Sequence, residues 1–260
     1  MVSHPYAELH AHSYFTFLEG ADAPEDYILC AQKLGLDGLA LLERDGMYSL
    51  IRSLQAARES SFPLIIGTEL TLSATHFSRY DGNASIGSPG WGLPCGWEDT
   101  GIRLPILTTS RNGYRDLCSL MSERTLEDVE GENPSHGLEN IAENAQDIRI
   151  LTGGTRGPLR RILHAQGRNQ ADRFLNDLIS LFGRERIIVE SVLRPGEDDM
   201  GAELADLAHK HRLPLAAAGG VTMASPKSKY RADLLCALRQ GKSLDEIRYL
   251  LPAQHSFLKS

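Results

Sequence analysis

The sequence predicts an α/β fold in which a parallel sheet of about seven strands closes into a barrel. Apolar segments of strand length alternate with amphipathic helical segments along almost the whole chain of 260 residues. Several strand segments are continuous apolar runs, such as Leu39–Leu42 and Ile187–Val189, as strands covered on both faces require. With 42% apolar residues, this length is sufficient for one buried core. A closed barrel is therefore favoured over an open doubly wound sheet.

The predicted strands are Tyr6–His12, Leu36–Leu42, Pro63–Leu72, Leu104–Thr108, Ile148–Thr152, Arg186–Val192 and Leu213–Ala218. A first helix is predicted between Pro24, in an acidic first turn, and Gly35, which follows the last apolar residue. Further helices are predicted at Met47–Glu59, after a capping Ser110, and at Asn169–Phe182, Met200–His211 and Tyr230–Arg239. The segment Ser73–Ile102 is rich in Gly, Ser, Pro and Trp, so we predict a long loop at about 73–102. No domain boundary is visible, and residues 1–260 are predicted to form a single domain.

The charge and the apolar pattern of the chain argue against two classes of partner, nucleic acids and membranes. Its net charge of −7 disfavours strong direct binding to nucleic acid, because affinity for the phosphate backbone comes from clustered Lys and Arg. The amino terminus lacks a basic segment followed by an apolar run, and no apolar stretch approaches the roughly 20 residues that span a bilayer. We therefore expect a cytoplasmic protein with no membrane partner.

Candidate metal ligands follow three consecutive strands of the predicted sheet. The first strand ends with His10 and His12, which share one face of the strand because they lie two residues apart. The second is followed by Glu43-Arg44-Asp45, and the third carries Glu69. Functional side chains of a parallel barrel collect where its strands end, so these groups are expected to lie close together. Two imidazoles and a carboxylate are typical ligands of a divalent transition metal.

A series of short motifs becomes specific when the motifs are taken together and in order. It opens with Pro5-Tyr-Ala-Glu-Leu-His10-Ala-His12-Ser13 and Phe17-Leu-Glu-Gly-Ala21. It continues with Leu34-Gly-Leu-Asp-Gly-Leu-Ala40, Asp45-Gly-Met-Tyr48, Gly67-Thr-Glu-Leu-Thr-Leu72, Asn112-Gly-Tyr-Arg-Asp-Leu-Cys118, Leu151-Thr-Gly153 and Ser243-Leu-Asp-Glu246. This series resembles the PHP (polymerase and histidinol phosphatase) domain, most closely the amino-terminal domain of bacterial error-prone C-family DNA polymerases, which are relatives of the DNA polymerase III alpha subunit. The resemblance implies a distorted (β/α)7 barrel of the PHP type, in agreement with the predicted strands.

The resemblance also implies a site for up to three divalent ions, of which this chain keeps only part. The family's paired histidines match His10 and His12, and its acid on the third strand matches Glu69. The remaining positions depart from the family pattern. Glu43-Arg44 stands where the family commonly has Asp-His, Arg103 where it has a histidine, Gly154 where it has a cysteine, and Gly220-Val221-Thr222 where it has Asn-Val-His or Asp-Val-His.

These replacements limit the site to one divalent ion (Zn, Mn or Fe) or to none, because a catalytic ion needs about three protein ligands and an open position for water. Our hypothesis is that arginine has replaced metal as the counter-charge. Arg44 and Arg103 would then place guanidinium groups beside Glu69, Glu43 or Asp45 and neutralise these carboxylates. The result would be a structural pseudo-site.

The resemblance implies a PHP domain of an error-prone DNA polymerase, acting in DNA replication or translesion repair. We predict that it is non-catalytic and that it supports a polymerase module, so its partners would be that module or polymerase-associated proteins. We expect no polymerase activity from this chain alone. One alternative is a metal-dependent phosphoesterase or 3′–5′ exonuclease that uses His10, His12 and Glu69. Another is an interaction protein that docks through Trp91 and Trp97 in the long loop.

Overall fold

The chain forms two compact units in a computed structural model that describes residues 5–73, 77, 80, 101–127, 136–192, 198–248, 251 and 255–259. The first unit comprises residues 1–68 and 218–260, and the second comprises residues 69–217. Each unit combines strands and helices, so the predicted mixed α/β fold is confirmed. The prediction of one domain over residues 1–260 stays a prediction.

The first unit contains a three-stranded parallel sheet. Its elements are β1 (Ala7–Ala11), α1 (Pro24–Leu34), β2 (Gly38–Leu41), α2 (Leu50–Ser60), β3 (Leu64–Ile65) and, after the second unit, α8 (Lys229–Gln240). The strands lie in the order β1-β2-β3, with Glu8 opposite Leu39 and Leu39 opposite Leu64. The short parallel pairs place the carboxyl ends of all three strands at the same edge of this sheet.

Helix α1 begins and ends where the sequence predicts. Pro24 occupies the first turn, and Gly35 follows the helix with φ of 71°, a left-handed conformation that suits glycine. The Gly35 N–H donates to the carbonyl groups of Ala31 and Gln32 and so caps the helix. The core of this unit is built from buried side chains of α1, α2, the sheet and the carboxyl-terminal part of the chain, namely Ala11, Tyr27, Ile28, Ala31, Leu36, Leu39, Leu41, Ala57, Phe62, Val221, Ala224 and Leu258.

The second unit contains a five-stranded sheet in the order β4-β5-β6-β7-β8. Its elements are β4 (Gly67–Leu72), β5 (Ile102–Thr108), α3 (Arg111–Glu127), α4 (Leu138–Asn144), β6 (Ile148–Leu151), α5 (Pro158–Gln166), α6 (Arg168–Phe182), β7 (Ile187–Val192), α7 (Asp198–His211) and β8 (Leu215–Ala218). Ser110 caps α3, since its Oγ accepts hydrogen bonds from the backbone N–H groups of Asn112 and Gly113 at 3.0 and 3.2 Å.

Three expectations about the elements are wrong. Strand β5 pairs antiparallel with β6, whereas we predicted a wholly parallel sheet. The connection between these two strands contains two helices, α3 and α4. A single helix would bring the chain back to the end of the sheet where β5 begins, whereas a second helix can take it to the opposite end, from which β6 runs antiparallel. The predicted strand Pro63–Leu72 divides at Ile66 into β3 and β4, which belong to different sheets. The predictions also lacked α4 and α5. Most of the predicted loop lies outside the described residues, although Ile102 itself begins β5.

Barrel closure stays a prediction. In the described part of the chain, hydrogen bonds connect the strands into one three-stranded and one five-stranded sheet, and no closed sheet is formed. None of the described helices combines the length and the apolar character needed to cross a lipid bilayer.

We predict that Gly20, in the loop between β1 and α1, tolerates no side chain. A Cβ at position 20 would lie 1.9 Å from the carbonyl oxygen of Ser13, which is backbone and cannot move aside cheaply. Gly20→Ala should therefore lower the free energy of unfolding by about 3 kcal/mol in urea denaturation. Gly35→Ala is the matched control, because nothing lies within 4 Å of its Cβ and only the positive φ costs stability, about 1–2 kcal/mol. Equal losses from the two changes would contradict this explanation.

Candidate metal centre

Strand β1 carries His10, and His12 directly follows its last residue, Ala11. Besides β2, the backbone of this segment has a second neighbour, Val221. The Val221 N–H donates to the His10 carbonyl at 2.9 Å, and the His12 N–H donates to the Val221 carbonyl at 2.8 Å. His10 and His12 are 5% and 6% exposed, and their ring centroids lie 5.1 Å apart. The backbone that carries both histidines is therefore held in place, and their side chains are largely shielded from water.

Glu69 joins these histidines. One ligand atom from each of His10, His12 and Glu69 lies within 4.8 Å of the other two, and all three side chains are buried. Glu69 directly follows Thr68, whose hydroxyl oxygen lies 3.0 Å from the Glu43 carbonyl oxygen and 2.9 Å from that of Gly46. The backbone that leads to the Glu69 carboxylate is thus anchored to the segment after β2.

This group of three residues fits a divalent transition metal. Imidazole nitrogen and carboxylate oxygen bind zinc at roughly 2.0–2.2 Å, and tetrahedral geometry then separates neighbouring ligand atoms by roughly 3.3–3.6 Å. The ligand atoms of the three residues lie within 4.8 Å of one another, a limit that is compatible with that geometry. Three protein ligands with one open position are sufficient for a single ion.

Glu8 lies on the same strand, two residues before His10, but its carboxylate is already bonded. It accepts hydrogen bonds from the Tyr6 hydroxyl at 2.8 Å, from the His10 N–H at 3.0 Å and from the Gly219 N–H at 2.9 Å. Burial raises the pKa of the Glu8 carboxyl, and the bonds from Gly219, His10 and Tyr6 oppose this rise. Glu8 therefore connects β1 to the turn that follows β8.

Glu43 is held by two hydroxyl groups. Its carboxylate is fully buried and accepts from Ser13 Oγ at 2.5 Å and from Thr16 Oγ1 at 2.6 Å. Thr16 Oγ1 also lies 3.5 Å from Nδ1 of His12 and accepts from the Arg44 backbone N–H at 3.2 Å. Glu43 thus supports the loop that follows β1.

Arg44 forms an ion pair with Glu19. Its Nη1 lies 3.0 Å from Glu19 Oε1, and Nη1 of Arg239 lies 3.5 Å from the same oxygen. The side chains are 7% exposed for Glu19, 28% for Arg44 and 19% for Arg239. The cluster connects the loops after β1 and β2 to helix α8, and it brings a permanent positive charge close to the loop that carries Thr16.

The other proposed counter-charge, Arg103, lies on β5 and is buried, with Nη1 donating to Thr71 Oγ1 at 3.1 Å. Asp45 follows β2 with φ of 50°, an uncommon conformation for a residue other than glycine. These contacts do not test whether a guanidinium neutralises Glu69, Glu43 or Asp45, so charge replacement stays a prediction. Trp91 and Trp97 lie outside the described residues.

The sequence interpretation missed three groups of this site: Ser13, Thr16 and Glu19. Ser13 and Glu19 lie within the motifs that carry the family resemblance, and Thr16 lies in the short segment between those motifs. A polar residue at each of these positions was visible. The partners of these residues, Glu43 and Arg44, could not be predicted, because they come into contact only when the loops after β1 and β2 approach one another.

Comparison with known proteins identifies the family. The PHP domain family model matches residues 8–192. The error-prone DNA polymerase of Cutibacterium acnes is 35% identical over 254 residues, which are 95% of this chain and 21% of that protein. The error-prone DNA polymerase of Mycolicibacterium paratuberculosis is 34% identical over 260 residues, which are 98% of this chain and 22% of that protein. This chain belongs to the PHP domain family, and it spans about a fifth of the length of these relatives.

Solved structures agree on the fold. An amidohydrolase from Chromobacterium violaceum superposes with a TM-score of 0.55 at 16% identity, over 84% of this chain and 87% of that one. A protein from Bifidobacterium adolescentis, whose description as a metal-dependent phosphoesterase is itself an inference, superposes with a TM-score of 0.51 at 14% identity, over 84% of this chain and 88% of that one. At these identities the likeness shows the fold alone.

We predict that Glu19 and Arg44 stabilise the fold together. In a double-mutant cycle with Glu19→Gln and Arg44→Met, the coupling free energy should be about 1–3 kcal/mol, because Glu19 is almost fully buried. The exposed pair Asp245 and Arg248, whose side chains are 83% and 78% exposed, is the control and should show no measurable coupling. Chemical denaturation of all variants measures both values. A coupling as small as that of the control would mean that the pair makes no contribution to stability.

Proposed function

We propose that this chain is the PHP domain of an error-prone DNA polymerase system and that it supports the polymerase module without a hydrolytic reaction of its own. The observation that carries the proposal is the ion pair of Glu19 and Arg44 next to the loop that contacts His12. A guanidinium stays charged at any physiological pH, so it repels further cations and occupies a carboxylate that could bind them. The site is then left with its three ligands for at most one ion.

The positions of two lost ligands support this proposal. A Cβ at Gly154, where the family has a cysteine, would lie 2.7 Å from Cγ2 of Val192, so a cysteine would fit only after Val192 moved. Thr222 stands where the family has a histidine, and a hydroxyl group is a poorer ligand than imidazole for zinc or iron. A cluster of several ions is therefore disfavoured.

A metal-dependent phosphoesterase is the second candidate, and the convergence of His10, His12 and Glu69 favours it. Bound to these residues, one divalent ion would act as a Lewis acid and lower the pKa of a water molecule. In this chain the two imidazoles and the carboxylate would orient the ion, and their burial would limit access of bulk water.

Metal content and hydrolysis distinguish the two candidates. We predict at most one equivalent of Zn, Mn or Fe in protein purified without a histidine tag, measured by elemental analysis. We also predict no hydrolysis of p-nitrophenyl phosphate with added Mn²⁺ or Zn²⁺. His10→Ala should abolish bound metal, whereas His209→Ala, which changes an exposed histidine, should not. Two or more equivalents of metal, or hydrolysis that is lost in His10→Ala, would favour the enzyme.

Helix α8 offers a surface for the proposed polymerase module. Tyr230, Leu234 and Leu238 recur every four residues, so they form one stripe, and they are 68%, 38% and 68% exposed. Ala232 and Cys236 of the same helix are buried. An exposed apolar stripe is typical of a helix face that another protein covers. The polymerase module is the occupant we propose, because the relatives carry the matching segment within a much longer polymerase chain.

We predict that this stripe is needed for association. The probe is the Cutibacterium acnes error-prone DNA polymerase without the segment that matches this chain, co-expressed with the present chain. The unchanged chain should co-purify with it, and the Tyr230→Ser/Leu238→Ser variant should not, because the apolar contact is lost. Ile51→Ser is the matched control, since Ile51 is 75% exposed on a different helix. Equal co-purification of all variants, or of none, would contradict the proposed surface.

A further inference from the structure

Thr16 connects a buried carboxylate to a candidate metal ligand. Its Oγ1 lies 2.6 Å from Oε2 of Glu43 and 3.5 Å from Nδ1 of His12. Thr16 is 1% exposed, Glu43 is 0% exposed and His12 is 6% exposed. Because all three groups are largely shielded from bulk water, hydrogen bonds within the protein influence where their protons lie.

The available donors determine the direction of these bonds. The Thr16 hydroxyl has a single proton and donates it to Oε2 of Glu43 at 2.6 Å. Thr16 Oγ1 can then only accept, as it does from the Arg44 backbone N–H at 3.2 Å. His12 must therefore be the donor in its contact with Thr16. This places the proton of the neutral imidazole on Nδ1 and leaves the lone pair on Nε2, the other nitrogen that can bind a metal.

The carboxylate is itself held in place. Ser13 Oγ donates to the second oxygen of Glu43 at 2.5 Å, and the Ser13 oxygen accepts from the Phe15 backbone N–H at 3.3 Å. Both oxygens of Glu43 are thus occupied by hydroxyl donors from the loop after β1. A change at Glu43 would release the Thr16 proton and remove the reason for a single His12 tautomer.

We propose that Thr16 and Glu43 are positioning residues that keep His12 in the Nδ1–H tautomer and so prepare its Nε2 for a metal ion. Histidine ligands usually donate their other N–H to a carboxylate, a carbonyl or water. Here the threonine hydroxyl lies between the imidazole and the carboxylate. The proposal rests on the proposed single-ion site and names the residues that adjust its affinity.

Zinc affinity tests the proposal, with Zn²⁺ alone as the probe in competition with a chromogenic chelator. Thr16→Val should weaken binding by roughly 10–100-fold, the usual effect of losing such a supporting group. Thr16→Ser restores the hydroxyl and should retain most of the affinity. Glu43→Gln introduces an NH₂ donor beside both hydroxyls and should also weaken binding. Ser228→Ala is the control, because Ser228 donates to the buried Asp22 at 2.7 Å and should affect stability without changing zinc affinity.

The tautomer is measured separately by ¹⁵N NMR of histidine-labelled, metal-free protein at pH 8. The unchanged protein should show Nδ1–H for His12, and Thr16→Val should show a mixture of tautomers. An Nε2–H signal in the unchanged protein, or equal zinc affinity in Thr16→Val, would overturn the positioning role. A third outcome separates the two proposals: the unchanged protein binds no zinc, but His12 prefers Nδ1–H in the unchanged protein and loses this preference in Thr16→Val. The single-ion site then fails, and the role of Thr16 in selecting the tautomer stands.

Discussion

The pairing of β1 along both of its edges is the constraint on which the candidate site depends. β2 lies on one side, and Val221 exchanges two backbone hydrogen bonds with His10 and His12 on the other. A strand held on both edges cannot rotate or slip in register without breaking several bonds at once. The two imidazoles are therefore presented by the backbone itself, and the loop that follows β1 begins from a fixed point.

The buried carboxylates of this region are stabilised by three different kinds of donor. Glu8 is bonded mainly by backbone N–H groups, Glu43 by hydroxyl groups and Glu19 by guanidinium groups. Each kind of donor offsets the free-energy cost of burying a negative charge, which is several kcal/mol for an isolated ion. Each also removes oxygens that could otherwise bind a cation. Glu69 is the carboxylate that the described residues bring together with the two imidazoles.

Local patterns predicted more of the structure than long-range ones. The positions of most strands, and the convergence of His10 with His12, follow from apolar runs and from the two-residue repeat of a strand. The division of the predicted strand at Ile66 could not be predicted, because a continuous apolar run looks the same whether its two halves join one sheet or two. The partner of Arg44 was also hidden. Its pairing with Glu19 depends on how two loops approach one another, and sequence spacing contains no such information.

The close approach at Gly20 also affects how this family is recognised. The backbone at this position leaves no room for a side chain, a requirement that is independent of any bound ion. A chain could therefore lose its metal ligands one at a time and still require glycine at this position of the loop. Similarity in this loop is evidence of shared architecture, and whether chemistry has been retained must be determined from each ligand position separately.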